Sequence, residues 1–303
     1  IIIYQNSLHF TTSMRIFIKQ EVIMKKYPSL SLIALCVSLS GCAAGPRHYA
    51  QGESRALNLA RAGGIYDLDL RDSHDGTHSY SKGMLVPLLD LARLTTSFDD
   101  PLRRLSGTQT FAFNATDIMM TPDNPSARPS LMGWMPASAA TSESQAYEKY
   151  VHLVDQAIQH VADDMALNVI KLSNVETPEI DGHPMILWSV ESAEHGCGIG
   201  QCVVAYNITT PYIWKSPLYI KDGESESYNI AANHLKNYSR FVFRQSGPKN
   251  FPVDEFYRAV SAALPSWIVI YFPPKHVVKN GQSLPYPVLY EQGEQLLFKE
   301  PAL

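Results

Sequence analysis

Apolar residues spaced three and four positions apart predict an amphipathic helix over residues 143–165. The residues that form this apolar stripe are Tyr147, Tyr150, Val151, Val154, Ile158, Val161 and Met165. Ser142 followed three positions later by Gln145 matches a capping box, which marks the start of the helix. Similar patterns predict further helices over 54–62, 84–94 and 253–264, and Gly63 with Gly64 ends the first of them.

Strand patterns dominate the second half of the chain. β-Branched and aromatic residues are concentrated in 185–191, 202–209, 218–221, 238–245, 267–272, 288–290 and 295–298, and an earlier strand is predicted over 108–120. Residues 291–294 have the composition of a hairpin turn. Four prolines between residues 121 and 140 predict a loop, with Trp134 filling a gap in the core rather than binding a ligand.

This order of elements predicts an α+β fold, with helices in the N-terminal half and a mostly antiparallel sheet in the C-terminal half. The chain has 303 residues and 45% hydrophobic composition, which is enough for one large domain with a real core. We expect the globular domain over 53–303, with a weakly marked boundary near 173–184. No motif in this part of the chain identifies a family.

The N-terminal segment has the organisation of an export signal. Two lysines follow Met24, and a short apolar run over 30–39 comes after them. This run is too short to span a bilayer core of about 30 Å, and its flanks are typical of a signal peptide. The next residues, Leu39-Ser40-Gly41-Cys42, resemble the lipobox of bacterial lipoproteins. The alternative is an ordinary signal peptide with a chance cysteine.

The resemblance implies that residues 24–41 are a lipoprotein signal peptide and that cleavage leaves Cys42 at the mature start, where it is acylated. Several acyl chains anchor a protein stably. Residues 42–52 are then a lipidated tether. Residues 1–23 are expected to be a dispensable or untranslated extension, with Met14 or Met24 as the start. Because Ala43 stands where a retained inner-membrane protein carries Asp, the resemblance implies the outer membrane, facing the periplasm, if the source is Gram-negative.

Charge narrows the range of partners. Residues 42–303 carry 21 basic and 28 acidic side chains, which gives a net charge near −7. Nucleic-acid binding needs a basic stripe that releases counterions, so a nucleic-acid partner is not expected. The same charge argues against electrostatic attachment to an anionic lipid surface.

Two cysteines remain after export. Cys36 lies in the signal peptide, so Cys197 and Cys202 form an even pair in an oxidising compartment. Glycines around them allow tight bending, and we predict a disulfide that pins a hairpin or loop tip. The alternative is a metal site that uses both sulfurs and His195, although structural zinc prefers four ligands.

A polar loop carries the other candidate chemistry. Asp72, His74, Asp75 and His78 are residue types that bind a divalent metal, and a turn would bring them together. The same stretch also has the composition of an ordinary exposed turn. Near the disulfide, the carboxylates and imidazole of Glu191, Glu194 and His195 suit acid–base chemistry, but a plain loop rim explains them equally.

Two functional hypotheses follow. The first is a non-enzymatic binding or accessory protein anchored to the membrane by its lipid, such as a toxin-immunity protein or a component of secretion or envelope assembly, with a protein partner in the periplasm. It rests on the tether, the pinned loop, 16 tyrosines and the lack of a recognisable catalytic motif. The second is a periplasmic metal-dependent hydrolase centred on His74, Asp75 and His78. No organic cofactor is predicted.

Overall fold

The computed structural model describes residues 48–66, 70–77, 126, 129–172, 179–180, 183–231, 239–245, 250–274, 278–279, 282–283 and 286–302. The chain from Pro46 to Leu303 groups into one compact unit. The described residues combine helices with antiparallel strands, so the predicted α+β class is confirmed. The predicted helix over 84–94, the strand over 108–120 and part of the boundary near 173–184 lie outside the described residues.

Six strands form the larger sheet, and every neighbouring pair in it is antiparallel. Along the sheet the strands are β14 (Glu294–Leu297), β13 (Val288–Glu291), β10 (Ile268–Phe272), β1 (Ser130–Pro136), β8 (Glu226–Ile230) and β7 (Tyr212–Lys215). The predicted hairpin turn is confirmed between β13 and β14, where Gln292 and Gly293 both have positive φ, as a tight hairpin turn requires. Strand β7 lies at one edge of this sheet.

A second sheet of four antiparallel strands carries the pinned segment. Its order is β2 (Asn168–Lys171), β5 (Ile186–Ser192), β6 (Cys197–Asn207) and β9 (Arg240–Gln245). Two short antiparallel pairs complete the strands of the described residues: β3 (Glu179–Ile180) with β4 (His183–Pro184), and β11 (Val278–Lys279) with β12 (Gln282–Ser283).

Three α-helices lie in the described part of the chain: α1 (Arg55–Ala62), α2 (Glu143–Asp164) and α3 (Val253–Ala263). The main core packs α2 and α3 against one face of both sheets, through residues such as Ile158, Phe256 and Val204. A second core lies on the opposite face of the six-stranded sheet and includes Leu59 of α1 and Trp134 of β1. Both faces of the six-stranded sheet are therefore buried against helices.

Helix α2 confirms the prediction from periodicity. Its start is capped because the Ser142 hydroxyl accepts a hydrogen bond from the Gln145 N–H at 3.2 Å. The Gln145 side chain reaches back to accept from the N–H of Thr141, at 2.6 Å. The predicted helix α3 is also confirmed, although no side chain caps its start. The predicted helix α1 is confirmed, and the Ser54 hydroxyl caps it by accepting a hydrogen bond from the Leu57 N–H at 3.0 Å.

The predicted division into helical and sheet halves is wrong. Helix α3 lies deep in the second half, between β9 and β10, and β1 lies in the first half at the centre of the larger sheet. The predicted strand over 218–221 is a turn, stabilised by a hydrogen bond from the Ile220 N–H to the Pro217 carbonyl at 3.1 Å. Strands β7 and β8 flank this turn, and the sequence patterns did not predict them.

Strand β1 also corrects the predicted loop over 121–140. Pro136 lies at the end of the strand, where its missing N–H disturbs the ladder least. Between Pro129 and Pro136 every residue is buried, because Leu131 faces the main core and Met132 faces the second core. A strand buried on both faces shows no alternation, which is why the period-two pattern was absent. The predicted core role of Trp134 is confirmed.

The end of α2 provides a test of backbone strain. Ala166 has φ of 52°, and the Leu167 N–H donates to the Ala162 carbonyl at 2.8 Å, which is the arrangement that favours glycine after a helix. We expect Ala166→Gly to raise the free energy of unfolding by about 0.5–1 kcal/mol, since relief of the left-handed strain exceeds the added freedom of the unfolded chain. Urea unfolding monitored by circular dichroism measures the change.

Ala259→Gly is the matched control, because Ala259 lies within α3. There the same substitution is expected to lower stability by about 1 kcal/mol, since glycine is unfavourable inside a helix. Equal losses in both variants would show that Ala166 carries no strain.

Candidate functional site

The predicted pinned segment is a bulge in β6, just after the turn that joins it to β5. Ser192 pairs with Cys197 and Val190 pairs with Cys202, so the residues from Gly198 to Gln201 on β6 stand opposite the single residue Glu191 on β5. The extra residues loop out of the ladder. The sequence predicted a hairpin or loop tip here, and the structure places the bulge at the end of the hairpin.

A disulfide closes the base of this bulge, as predicted. Cys197 and Cys202 are bonded, with Cα atoms 5.3 Å apart, and both side chains are buried in the main core. The alternative metal site would need both sulfurs as thiolates, and the disulfide occupies them. The His195 ring instead packs edge-on against Phe251, with the ring centroids 5.5 Å apart.

Local hydrogen bonds fix the path of the bulge. The Gly198 N–H donates to the Gln201 side chain at 2.9 Å, and the Gly200 N–H points to the buried Ser189 hydroxyl at 3.4 Å. Gly200 has φ of 70°, a conformation that glycine adopts without strain. Ser189 lies on the face of the sheet opposite to the core-facing Val190, so the bulge folds over the outer face.

An open cleft of about 610 Å³ lies between this bulge and the start of β2. One wall is formed by Ala166 and Asn168, and the other by the bulge itself, from Gly198 to Gln201. Ile199 lines the cleft and is 59% exposed, although it is held on a pinned segment. An exposed apolar side chain on a segment that is already ordered costs little conformational entropy on docking.

The cleft is acidic. Glu191 and Glu194 line it, and the Asn168 amide donates to the Glu191 carboxylate at 2.9 Å. The residues that line this cleft include no Lys or Arg. The structure thus brings both predicted carboxylates into one cleft, while His195 packs against Phe251 and is not part of the lining. The predicted acid–base group of three side chains is therefore not assembled around the cleft.

The candidate metal loop is attached to the body by its own carboxylates. Asp72 accepts hydrogen bonds from the hydroxyl and the N–H of Ser54, the latter at 2.6 Å, and burial raises the pKa of Asp72 above its usual value. Asp75 accepts from the Thr77 N–H at 2.9 Å, and the hydrogen bonds to Thr77 hold the pKa of Asp75 below its usual value. Asp72 thus accepts hydrogen bonds that join the loop to the start of α1, whereas Asp75 accepts one within the loop.

The rest of this loop runs beside the C-terminal segment. The Ser73 N–H donates to the Phe298 carbonyl at 2.9 Å, and His74 is exposed. His78 lies outside the described residues. Within the described ranges, no three side chains of the metal-ligating types lie close enough to hold an ion. The metal site of Asp72, His74, Asp75 and His78 stays a prediction.

Comparison with known proteins adds no relative. No family model matches the chain, and neither the curated proteins nor the solved structures contain a significant match. Cys42 and the tether before residue 48 lie outside the described residues. None of the described helices has the length and apolarity needed to cross a bilayer.

Sequence reasoning missed Ile199. The signal was present in Gly198-Ile199-Gly200, a large apolar residue between two glycines inside a short disulfide ring. A ring of this size has no interior in which to bury isoleucine, so the side chain had to point outward. The site therefore follows from the sequence once the disulfide is accepted.

Proposed function

We propose that this protein is a lipid-anchored lipoprotein of the bacterial envelope that binds a protein partner through the pinned bulge. The observation that carries the binding proposal is the exposure of Ile199, at 59%, on a disulfide-closed segment beside an open acidic cleft. The anchor rests on Leu39-Ser40-Gly41-Cys42, and Ala43 after it favours the outer membrane, facing the periplasm, if the source is Gram-negative.

Rigidity supports this choice of surface. Binding costs less conformational entropy when the docking segment is already ordered. The bulge is held by the disulfide, by the Gly198–Gln201 hydrogen bond and by the contact of Gly200 with Ser189. Its disulfide is buried, so the bulge stays closed wherever thiols are kept oxidised.

The chemistry of the cleft defines the partner. An apolar side chain flanked by Glu191 and Glu194 fits a protein surface that presents an apolar residue beside a basic one. Candidates are a periplasmic toxin neutralised by an immunity protein, or a component of a secretion or envelope assembly. Both classes are compatible with a tethered protein that has no enzymatic role.

Partner capture tests the proposal. Tagged protein is purified from membranes of its native host, and intact-mass analysis must show cleavage before Cys42 and added acyl chains. We expect one stoichiometric partner in the eluate, and we expect Ile199→Asp to weaken its binding at least about tenfold, because the apolar contact at the centre of the interface is lost. Dissociation constants measured with the purified partner give the comparison.

Ile213→Asp is the matched control. Ile213 is also exposed and on a strand, but it belongs to β7 in the other sheet. Retention of the partner by the Ile213 variant and loss by the Ile199 variant supports the bulge as the docking site. Equal binding by both variants would place the interface elsewhere, and an eluate without a stoichiometric partner would contradict the binding function.

A further inference from the structure

A second exposed apolar surface lies on the side of the six-stranded sheet that α1 covers. Its members are Trp214 on β7, Leu218 in the turn that follows, Tyr49 and Tyr66, with 53%, 85%, 42% and 60% of their surface exposed. We call these four residues the aromatic edge. None of them lines the cleft beside the bulge.

Register places Trp214 on the α1 side. Tyr212 and Trp134 both pair with Asn229, so their side chains lie on one face of the sheet. Trp134 belongs to the core that α1 covers, and Trp214 follows Tyr212 by two positions, so it shares that face. Tyr66 follows Ile65, which is buried in the core that α1 covers.

Aromatic contacts join the remaining members to α1. The ring of Tyr49 packs edge-on against Tyr219, with centroids 5.3 Å apart, and Leu218 is the residue before Tyr219. The Tyr219 hydroxyl donates to the Asn58 carbonyl in α1 at 3.1 Å. Leu218 is therefore exposed on a turn that is fixed at its base.

The anchor lies close to this surface along the chain. Seven positions separate Cys42 from Tyr49, and a fully extended chain of that length reaches about 25 Å. We propose that the aromatic edge rests in the interface of the same lipid bilayer that holds the acyl chains of Cys42. This inference depends on the lipid anchor of the proposed function.

The composition of the surface favours lipid as the occupant. Tryptophan and tyrosine concentrate at bilayer interfaces, because their rings are apolar while their polar atoms stay hydrated. Leu218 supplies an aliphatic side chain to the acyl boundary. The acidic body excludes a purely electrostatic attachment, so the contact must be apolar. Tethering raises the local concentration of the bilayer, so a weak contact is sufficient.

Fluorescence quenching tests this contact. The lipidated mature protein is reconstituted into vesicles of phosphatidylethanolamine and phosphatidylglycerol that contain brominated acyl chains. Of the four tryptophans, Trp134 and Trp188 are buried and Trp267 is partly buried, whereas Trp214 is half exposed. We expect bromine to quench the tryptophan emission of the unchanged protein, and we expect this quenching to be lost in the Trp214→Phe variant. We expect Leu218→Asp to reduce the quenching several-fold.

Ile213→Asp is the control, because Ile213 lies on the opposite face of β7 and should leave the quenching unchanged. If Trp214 of the lipidated protein is not quenched, the contact of the aromatic edge with the bilayer is contradicted, while the lipid anchor on Cys42 is not. If Trp214 is protected from aqueous acrylamide but is not quenched by bromine, the aromatic edge is covered by protein. That result also contradicts the contact with the bilayer. If intact-mass analysis shows protein without acyl chains, the lipid anchor is contradicted, and so is the bilayer contact that depends on it.

Discussion

Arg55→Ala is expected to lower the free energy of unfolding by about 3–5 kcal/mol, because it leaves a buried carboxylate without its partner. Arg55 of α1 donates from Nε to Glu291 Oε2 at 2.6 Å and from a terminal nitrogen to the second carboxylate oxygen. The Glu291 side chain is only 3% exposed. The hydrogen bond with Glu291 raises the pKa of Arg55, so Arg55 stays charged.

Urea unfolding of matched variants measures this effect. Arg61→Ala is the control, since Arg61 lies in the same helix and pairs with Glu53 nearer the solvent. It is expected to cost less than about 1 kcal/mol. The double variant Arg55→Met with Glu291→Leu should regain most of the lost stability, because apolar residues of similar volume replace a buried ion pair well. If Arg55→Ala and Arg61→Ala lower the free energy of unfolding equally, the pair of Arg55 and Glu291 is as solvated as the pair of Arg61 and Glu53.

The salt bridge between Arg55 and Glu291 also supports the aromatic edge. Glu291 ends β13, so the salt bridge attaches α1 to the six-stranded sheet. Helix α1 in turn accepts the hydrogen bond from Tyr219 beside Leu218. If this link is lost, we expect the aromatic edge to become less ordered before the four-stranded sheet does, because the hydrogen bonds that hold the bulge join Gly198 to Gln201 and Gly200 to Ser189.

Periodicity predicted the helices because each has one apolar face. The stripe of α2 faces the main core, and its polar side stays in solvent, so a 3.6-residue period is visible in the sequence. The same reasoning found α1 and α3. Strand β1 was missed for the opposite reason: both of its faces are buried, and the flanking Pro129 and Pro136 suggested a loop.

Edge position explains the other missed strands. In β7 the apolar residues Ile213 and Trp214 are exposed on opposite faces, so no alternation of apolar and polar residues marks the strand. The turn after it contains Leu218, Tyr219 and Ile220, whose composition is typical of a strand. Pairing with β8, which sequence reasoning does not reveal, decides which segment is the strand.

The candidate site was partly predictable. Two cysteines separated by glycines, in a chain with a predicted export signal, are enough to predict the disulfide between Cys197 and Cys202. The role of Asp72 was not predictable, because its partner Ser54 lies 18 positions away and already serves as the cap of α1. This long-range hydrogen bond gives Asp72 a structural role, and the local sequence does not reveal it.

Alkaline unfolding is expected to be unusually steep, because four buried tyrosines stay protonated in the folded protein. Burial is the largest cause that raises the pKa of Tyr150, Tyr206, Tyr257 and Tyr290. The unfolded chain loses these protons near pH 10. Above that pH the unfolded state binds fewer protons than the folded state, so stability is intact below pH 10 and falls as the pH rises further.

Hydrogen bonds to anions strengthen the effect at two of these positions. The Tyr206 hydroxyl donates to Asp155 at 2.5 Å, and the Tyr290 hydroxyl donates to Asp254. A tyrosinate at either position would face a carboxylate, so each carboxylate further raises the pKa of its tyrosine. Each of the four groups contributes a slope of about 1.4 kcal/mol per pH unit, and together they give about 5 kcal/mol per pH unit.

Tyrosinate absorbance and circular dichroism, recorded together as the pH rises, measure this slope. We expect exposed tyrosines to ionise first, and the buried ones to ionise only as the ellipticity collapses. Tyr257→Phe removes one ionisable group, so the slope should fall by about a quarter. That variant also loses the hydrogen bond from the Phe243 N–H, at 2.9 Å, so its stability at neutral pH is measured separately by urea unfolding. Ionisation of all 16 tyrosines while the ellipticity stays native would contradict the burial of these four hydroxyls.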